Sequence, residues 1–409
     1  MINLETPRKF EGLIGQAHQV AAEILRPISR KYDLAEHEYP KELDMLAALI
    51  DAINEGSAAE TAGAGAVRRR SRADGDGRNR NGSNLSTVLS IIELCWGDVG
   101  LLLSMPRQGL GNSAIASVAT EEQLARYGGR WAAMAITEPE AGSDSAAIRT
   151  TAVLDGRDYV LNGEKIYVTS GERAELVVVW ATLDRSRGRA AIRSFVVERS
   201  NPGLKLDRLE RKLGIRASDT ASFTLEDCRV PKHALLGEGD EPADSGGDKQ
   251  GFGGAMQTFD NTRPLVAAMA VGVTRAALQE TRRWLAEVGS EIDYSRPVLA
   301  QSAAAARFIA LEGDYEAARL LTLHAAWMAD NGKPNSLHAS MAKAKAGRTC
   351  VEVTLGCVEL CGAIGYSERE LLEKWARDAK ILDIFEGTQQ IQLLIVARQL
   401  LGKNSQELK

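Results

Sequence analysis

Asp155-Gly-Arg-Asp-Tyr-Val-Leu-Asn-Gly-Glu-Lys-Ile-Tyr-Val-Thr169 is the stretch that decides the fold class. Asp-Gly and Asn-Gly readily adopt the positive φ angles of a tight hairpin turn. Here Asp155-Gly156 and Asn162-Gly163 bracket Tyr159-Val160-Leu161, and Ile166-Tyr167-Val168-Thr169 follows, so both dipeptides read as turns between short strands. Outward from this point, Leu176 to Ala181, Phe195-Val196-Val197 and Phe223 to Leu225 extend a β zone from about Ala135 to Pro231. On its N-terminal side, up to about Trp131, Val20, Ile24, Leu46, Leu49, Ile91 and Leu94 recur at helical spacing. After Phe252 the helical period returns. Val266, Met269, Ala270, Val273 and Ala277 form one apolar helix face, with Pro264 expected in the opening turn.

The expected division is therefore residues 1–134, helical; 135–236, β; 237–252, an acidic linker; and 253–409, helical. A chain of 409 residues exceeds what one hydrophobic core serves, which agrees with several packed units. Two segments stand apart by composition. Gly56 to Asn84 carries Arg68, Arg69, Arg70, Arg72, Arg78 and Arg80 among small residues, and reads as a mobile surface loop or as a basic lip near an anionic ligand or an acidic partner. Gly237 to Gly251 is acidic and reads as a solvated connection.

Composition excludes several classes. The net charge of −5 offers no global basic field for nucleic acid. No apolar run approaches the roughly 20 residues that span a bilayer. Met1 to Phe10 has no apolar signal region, so a cytoplasmic protein is expected. Cys95, Cys228, Cys350, Cys357 and Cys361 are scattered and odd in number, which predicts reduced, buried thiols. Cys357 and Cys361, four apart, share a helix face and read as core. His18, His37, His233, His324 and His338 lack ligand spacing, so neither a metal site nor a histidine-driven nucleophile is expected.

Four segments carry the chemistry: Ala135-Ile-Thr-Glu-Pro-Glu-Ala-Gly-Ser-Asp144; Tyr167-Val-Thr-Ser-Gly171; Phe259-Asp-Asn-Thr-Arg-Pro264; and Arg377-Asp-Ala-Lys380 followed by Ile384-Phe-Glu-Gly-Thr-Gln-Gln-Ile-Gln392. In this order and spacing they resemble the acyl-CoA dehydrogenase family over nearly the whole chain. The resemblance implies an α+β fold with an N-terminal helical domain, a central β-barrel or sandwich that binds flavin, and a C-terminal four-helix bundle. It also implies α,β-dehydrogenation of an acyl-CoA thioester with FAD as cofactor and an electron-transferring flavoprotein as electron acceptor.

Residue by residue, the resemblance makes Glu386 the catalytic base that removes the α-proton while flavin N5 takes the β-hydride. Phe385 and Ile384 supply apolar surroundings that raise the proton affinity of the carboxylate, and Gly387 permits an unusual turn. The backbone N–H of Glu386 would stabilise the developing enolate. Ile136, Thr137, Ser143, Tyr167 and Thr169 fall at flavin-contacting positions, Tyr167 standing where many relatives have tryptophan. Thr388, Gln389 and Gln390 match contacts to the ADP part of FAD. Ser143, Asp260, Arg263 and Gly387 match positions near the substrate. Without the surrounding motifs, threonines on strands are ordinary β formers, a Glu-Gly pair is a solvated turn, and an arginine at a helix start is solvated.

The chain departs from the pattern at two places. In homotetrameric relatives a neighbouring subunit completes the FAD diphosphate site with an arginine and a glutamine; here Glu291 and Glu359 stand at those positions, Tyr294 replaces a phenylalanine and Ala363 a glycine. Two carboxylates repel a diphosphate. The expectation is a tetramer completed by a paralogous partner, an α2β2 assembly; the alternative is a register slip near Glu291, with Arg296 close by. Competing functions are a non-self-sufficient or regulatory subunit, and a flavin oxidase or monooxygenase. Retention of Glu386, Thr137, Thr169 and Arg263 argues against a silent subunit.

Overall fold

The computed structural model describes residues 6–55, 81–107, 109–237, 252–404 and 407, with 49–55 and 252–261 as backbone alone. Most of the arginine-rich stretch and nearly all of the acidic linker lie outside the described residues.

Helices α1 (Glu11–Val20), α2 (Arg26–Leu34) and α3 (Glu42–Glu55) open the chain, α1 passing into α2 through a π turn at Ala21–Leu25. Then come α4 (Ser83–Gly97), α5 (Val99–Leu103), α6 (Leu110–Val118) and α7 (Glu121–Tyr127). Asp98 starts α5 by accepting from Leu101 N at 2.8 Å. A reciprocal Thr120–Gln123 capping box starts α7.

Seven strands follow: β1 (Ala132–Ala135), β2 (Thr151–Asp155), β3 (Asp158–Thr169), β4 (Leu176–Thr182), β5 (Ile192–Glu198), β6 (Leu204–Leu209) and β7 (Thr220–Pro231). They form one sheet in the order β1-β4-β2-β3-β7-β6, with β5 paired to β4. All seven residues of β4 are buried. Its continuous apolar run reflects packing on both faces, where alternation would mark a strand wet on one side. The long β3–β7 antiparallel pair is the spine.

Of the two expected hairpin turns, one forms. Asp155 pairs with Asp158 across a two-residue loop. Asn162-Gly163 instead lies within β3, where the ladder to β7 slips between Leu161 and Gly163. Gly163 has φ +151°, and a Cβ there would sit 2.5 Å from Thr150 Oγ1. The glycine thus serves a bulge at a close approach, the second use of Gly in a strand. The edge strand β6 escaped sequence reading; it is short, polar and paired only to β7.

The last zone comprises α8 (Phe252–Glu287), α9 (Ala303–Asp330), α10 (Ser336–Tyr366), α11 (Leu372–Leu382) and α12 (Gln389–Leu401). Pro264 lies well inside α8, not in its opening turn. An interior proline removes a hydrogen bond, at about 3 kcal/mol, and burial of Val266, Ala267, Ala270 and Val271 against α4 and α10 outweighs it. By length and composition α10 contains a window apolar enough to cross a membrane, contrary to the sequence-based expectation. It packs against α8, α9, α11 and α12, so those apolar residues serve the bundle core. All five cysteines are buried and unpaired, as expected.

A buried ionic cluster joins the three zones. Lys374 Nζ lies 2.7 Å from Asp98 and 2.6 Å from Asp378. Asp378 in turn accepts from Ile215 N at 2.6 Å. Arg377 Nη2 reaches Asp33 of α2 at 2.6 Å. The Arg377-Asp378 pair quoted among the motifs is therefore a tie between the bundle, the first helices and the sheet.

Candidate active site

The chain reverses sharply between α11 and α12. Ile384 N and Phe385 N both donate to Ile381 O, at 2.9 and 3.0 Å, closing the end of α11. Glu386 then takes φ +53° and Gly387 φ +91°. A left-handed conformation is at home for glycine but strained by about 1–2 kcal/mol for glutamate. Three hydrogen bonds hold it. Gln392 Nε2 donates to Glu386 O at 3.1 Å and to Gly387 O at 3.3 Å, and Lys343 Nζ donates to Gly387 O at 2.6 Å. Thr388 follows as the N-cap of α12, accepting from Ile391 N.

The Glu386 side chain meets α8, where Thr262 Oγ1 donates to Glu386 Oε2 at 2.5 Å. Arg263, one residue on, is buried, as is Lys343 on α10. Burial pushes the Glu386 carboxyl above the ordinary carboxylate range, while the Thr262 hydroxyl and the cations of Lys343 and Arg263 partly oppose it. Burial also draws Lys343 down to about 8, against the pull of Glu386 and Asp383. The residue as a whole is half-buried. A carboxylate with raised proton affinity, held by one hydroxyl, suits a general base.

A second group of expected residues gathers on the sheet. Ile166 N donates to Thr137 O at 2.9 Å, which lays the Ile136-Thr137 segment beside β3 with its Tyr167 and Thr169. Thr137 and Thr169 are half-buried and Ile136 is buried. Tyr167 takes φ +58° and is 63 % exposed. Hydroxyls at the edge of an aromatic surface left that open fit a planar, hydrogen-bonding ring system such as flavin. Ser143 is exposed on the following loop, and Gln389 and Gln390 lie in the first turn of α12 directly after the Glu386 turn. The Asp260 side chain lies outside the described residues.

Sequence reading missed the support beneath both groups. Buried Lys165 pairs with buried Glu138 at 2.7 Å and donates to Ile136 O at 3.2 Å. Glu138 also accepts from Arg149 N, Thr150 N and Thr150 Oγ1. The Thr137 loop is thus anchored by a filled ionic site. Its signal was present, since Glu138 lies in the first motif. Lys343 and Thr262 were missed as well. Thr262 lies inside the third motif. Lys343 announces itself only as a lysine on a helix face otherwise made of Ala339, Ala342, Ala346 and Cys350.

Comparison with known proteins places the chain in a family. Residues 133–228 match the acyl-CoA dehydrogenase middle domain and residues 249–401 the acyl-CoA dehydrogenase C-terminal domain. The chain is 31% identical to an acryloyl-CoA reductase (NADH) of Anaerotignum propionicum, over 97% of this chain and 95% of the relative. It is 34% identical to a short-chain-specific acyl-CoA dehydrogenase of Clostridium acetobutylicum, over 78% and 83% of the two chains. The butyryl-CoA dehydrogenase structure from Megasphaera elsdenii superimposes with a TM-score of 0.79 at 28% identity, covering 98% of this chain and 100% of that one. Fold and relatives together define a flavin-dependent oxidoreductase acting on CH–CH bonds. The chain belongs to the acyl-CoA dehydrogenase family, whose members depend on FAD, and it has the expected order of N-terminal helices, central β domain and C-terminal helical domain.

Proposed function

We propose that this chain desaturates an acyl-CoA thioester, with Glu386 as the base that takes the α-proton. The observation that carries this reading is the Glu386 carboxylate, raised in proton affinity by burial and oriented by Thr262 at 2.5 Å. FAD, when bound against Thr137, Tyr167 and Thr169, supplies the acceptor for the β-hydride. The residues of the chain do the rest. Thr137 and Thr169 offer hydroxyls that fix the ring edge, and Tyr167 covers its apolar body. Ser143, Thr388, Gln389 and Gln390 serve the diphosphate and adenosine end. The backbone N–H of Glu386, in this left-handed turn, would donate to the thioester oxygen, where enolate charge develops. Arg263 and Asp260 are the candidates to contact the substrate arm.

Glu291 and Glu359 are both exposed, and this supports a partnership. A neighbour that met these carboxylates with its own FAD diphosphate would be repelled. A paralogous subunit carrying cationic and amide groups there would complete the site, in an α2β2 tetramer working in the cytoplasm and passing electrons to an electron-transferring flavoprotein. The visible absorption of the chain purified alone, then mixed with butyryl-CoA, tests both parts. Flavin bleaching by thioester supports the dehydrogenase reading. Full flavin loading in a homotetramer by gel filtration contradicts the partnership while leaving the chemistry intact.

A further inference from the structure

Lys343 is 1% exposed, among Ala339, Ala342 and Ala346 of α10. An ammonium taken out of water costs several kcal/mol unless its charge is used. Its hydrogen bond to Gly387 O, at 2.6 Å, does not require a charge. Gln392, a neutral amide with no exposure, already donates to that same carbonyl and to Glu386 O. What an amide cannot supply is a cation beside Glu386.

The geometry points to Lys343 as a positioning residue for the proposed reaction: it pins the Gly387 carbonyl, holds Glu386 in its left-handed turn, and sets a positive charge against the carboxylate. The inference rests on Glu386 being the base. The groups facing Glu386 come from every neighbouring element. Thr262 and Arg263 project from α8, Lys343 from α10, and neutral Gln392 from α12. Asp383, at the end of α11, faces Lys343 and is itself paired with Lys380 at 3.0 Å. Lys343 thus serves two carboxylates, and its removal leaves Arg263 as the remaining cation that acts on Glu386. The proton affinity of Glu386 then rises, so the carboxylate form is reached only at higher pH.

The test compares flavin-loaded wild type, Lys343→Met and Lys343→Gln, with Glu386→Gln as a control, in the pH profile of kcat/KM for butyryl-CoA. Lys343→Met should move the acidic limb upward by about one pH unit and lower the plateau kcat by about tenfold or more. Lys343→Gln keeps a donor for the carbonyl, so it should recover much of the plateau while the limb stays displaced. That split separates the charge from the hydrogen bond, which a lysine merely filling the core would not produce. Plateau and limb within twofold and 0.2 units of wild type in both variants, on about the precision of such profiles, would overturn the inference while an inactive Glu386→Gln leaves the base intact. A fully active Glu386→Gln would instead remove the base reading and this inference with it. If Lys343→Met does not fold, the Lys343→Met/Glu386→Gln double variant decides. Recovery of folded protein shows the two charges are coupled; its failure shows a structural prop and overturns the inference.

Discussion

Thr262 Oγ1 donates to Glu386 Oε2 across 2.5 Å, joining the interior of α8 to the turn between α11 and α12. The hydroxyl favours the charged carboxylate, so it opposes the burial that raises the proton affinity of Glu386. Thr262→Val keeps the shape and removes the donor. The reactive species is the carboxylate, so activity rises with pH through its pKa. In Thr262→Val that rise should move to higher pH by about one unit, so that kcat/KM on the acidic limb falls by about tenfold, since a hydrogen bond to a charged group is worth roughly 1.5–3 kcal/mol. An unshifted pH profile would show that the hydroxyl does not bear on the base.

Glu138→Gln should destabilise the fold and loosen flavin. It leaves Lys165 buried without its carboxylate, a loss of about 3–5 kcal/mol where the lysine stays protonated. The pH dependence has a definite sign. Burial draws Lys165 down to about 8 in the folded enzyme, and without Glu138 it falls further. The wild-type advantage is therefore largest at pH values below the lowered Lys165 pKa of the variant. It shrinks as pH rises from there through about 8, beyond which Lys165 is neutral in both folded proteins and the gap is constant. Urea unfolding at pH 6.5 and pH 9 measures the difference. A gap that widens with pH would contradict the pairing.

Lys374→Met should lower stability by about 3–5 kcal/mol, because Asp98 and Asp378 then lose the cation they share. The cluster connects α5, α11 and the sheet loop at Ile215, so the loss should appear as one cooperative transition shifted to lower denaturant. A separate early transition of the sheet would show that Asp378 does not transmit the tie.

The helical–β–helical order, the β4 run and the burial of all five cysteines were legible from composition and period. Glu386 was legible only through the motif around it. A Glu-Gly pair carries no signal of its own, and the strain at Glu386 becomes visible only as φ +53°. What escaped the sequence was what depends on distant partners. Asn162-Gly163 has the chemistry of a turn, but Thr150 and the β7 ladder make it a bulge. Pro264 has the chemistry of a helix start, but the apolar face of α8 carries the helix through it. Lys165, Lys343 and Lys374 look like solvated lysines in the sequence, yet each is buried because a specific oxygen from elsewhere in the chain receives it. Local pattern reports period and turn propensity, and it is silent on such pairings.

The most direct test of the central claim is stopped-flow bleaching of enzyme flavin by butyryl-CoA in wild type and Glu386→Gln. The account predicts that Glu386→Gln keeps its flavin and still binds the thioester, while the bleaching rate falls by about 10²–10⁴-fold. Bleaching near the wild-type rate in a flavin-loaded Glu386→Gln enzyme would show that another group takes the α-proton.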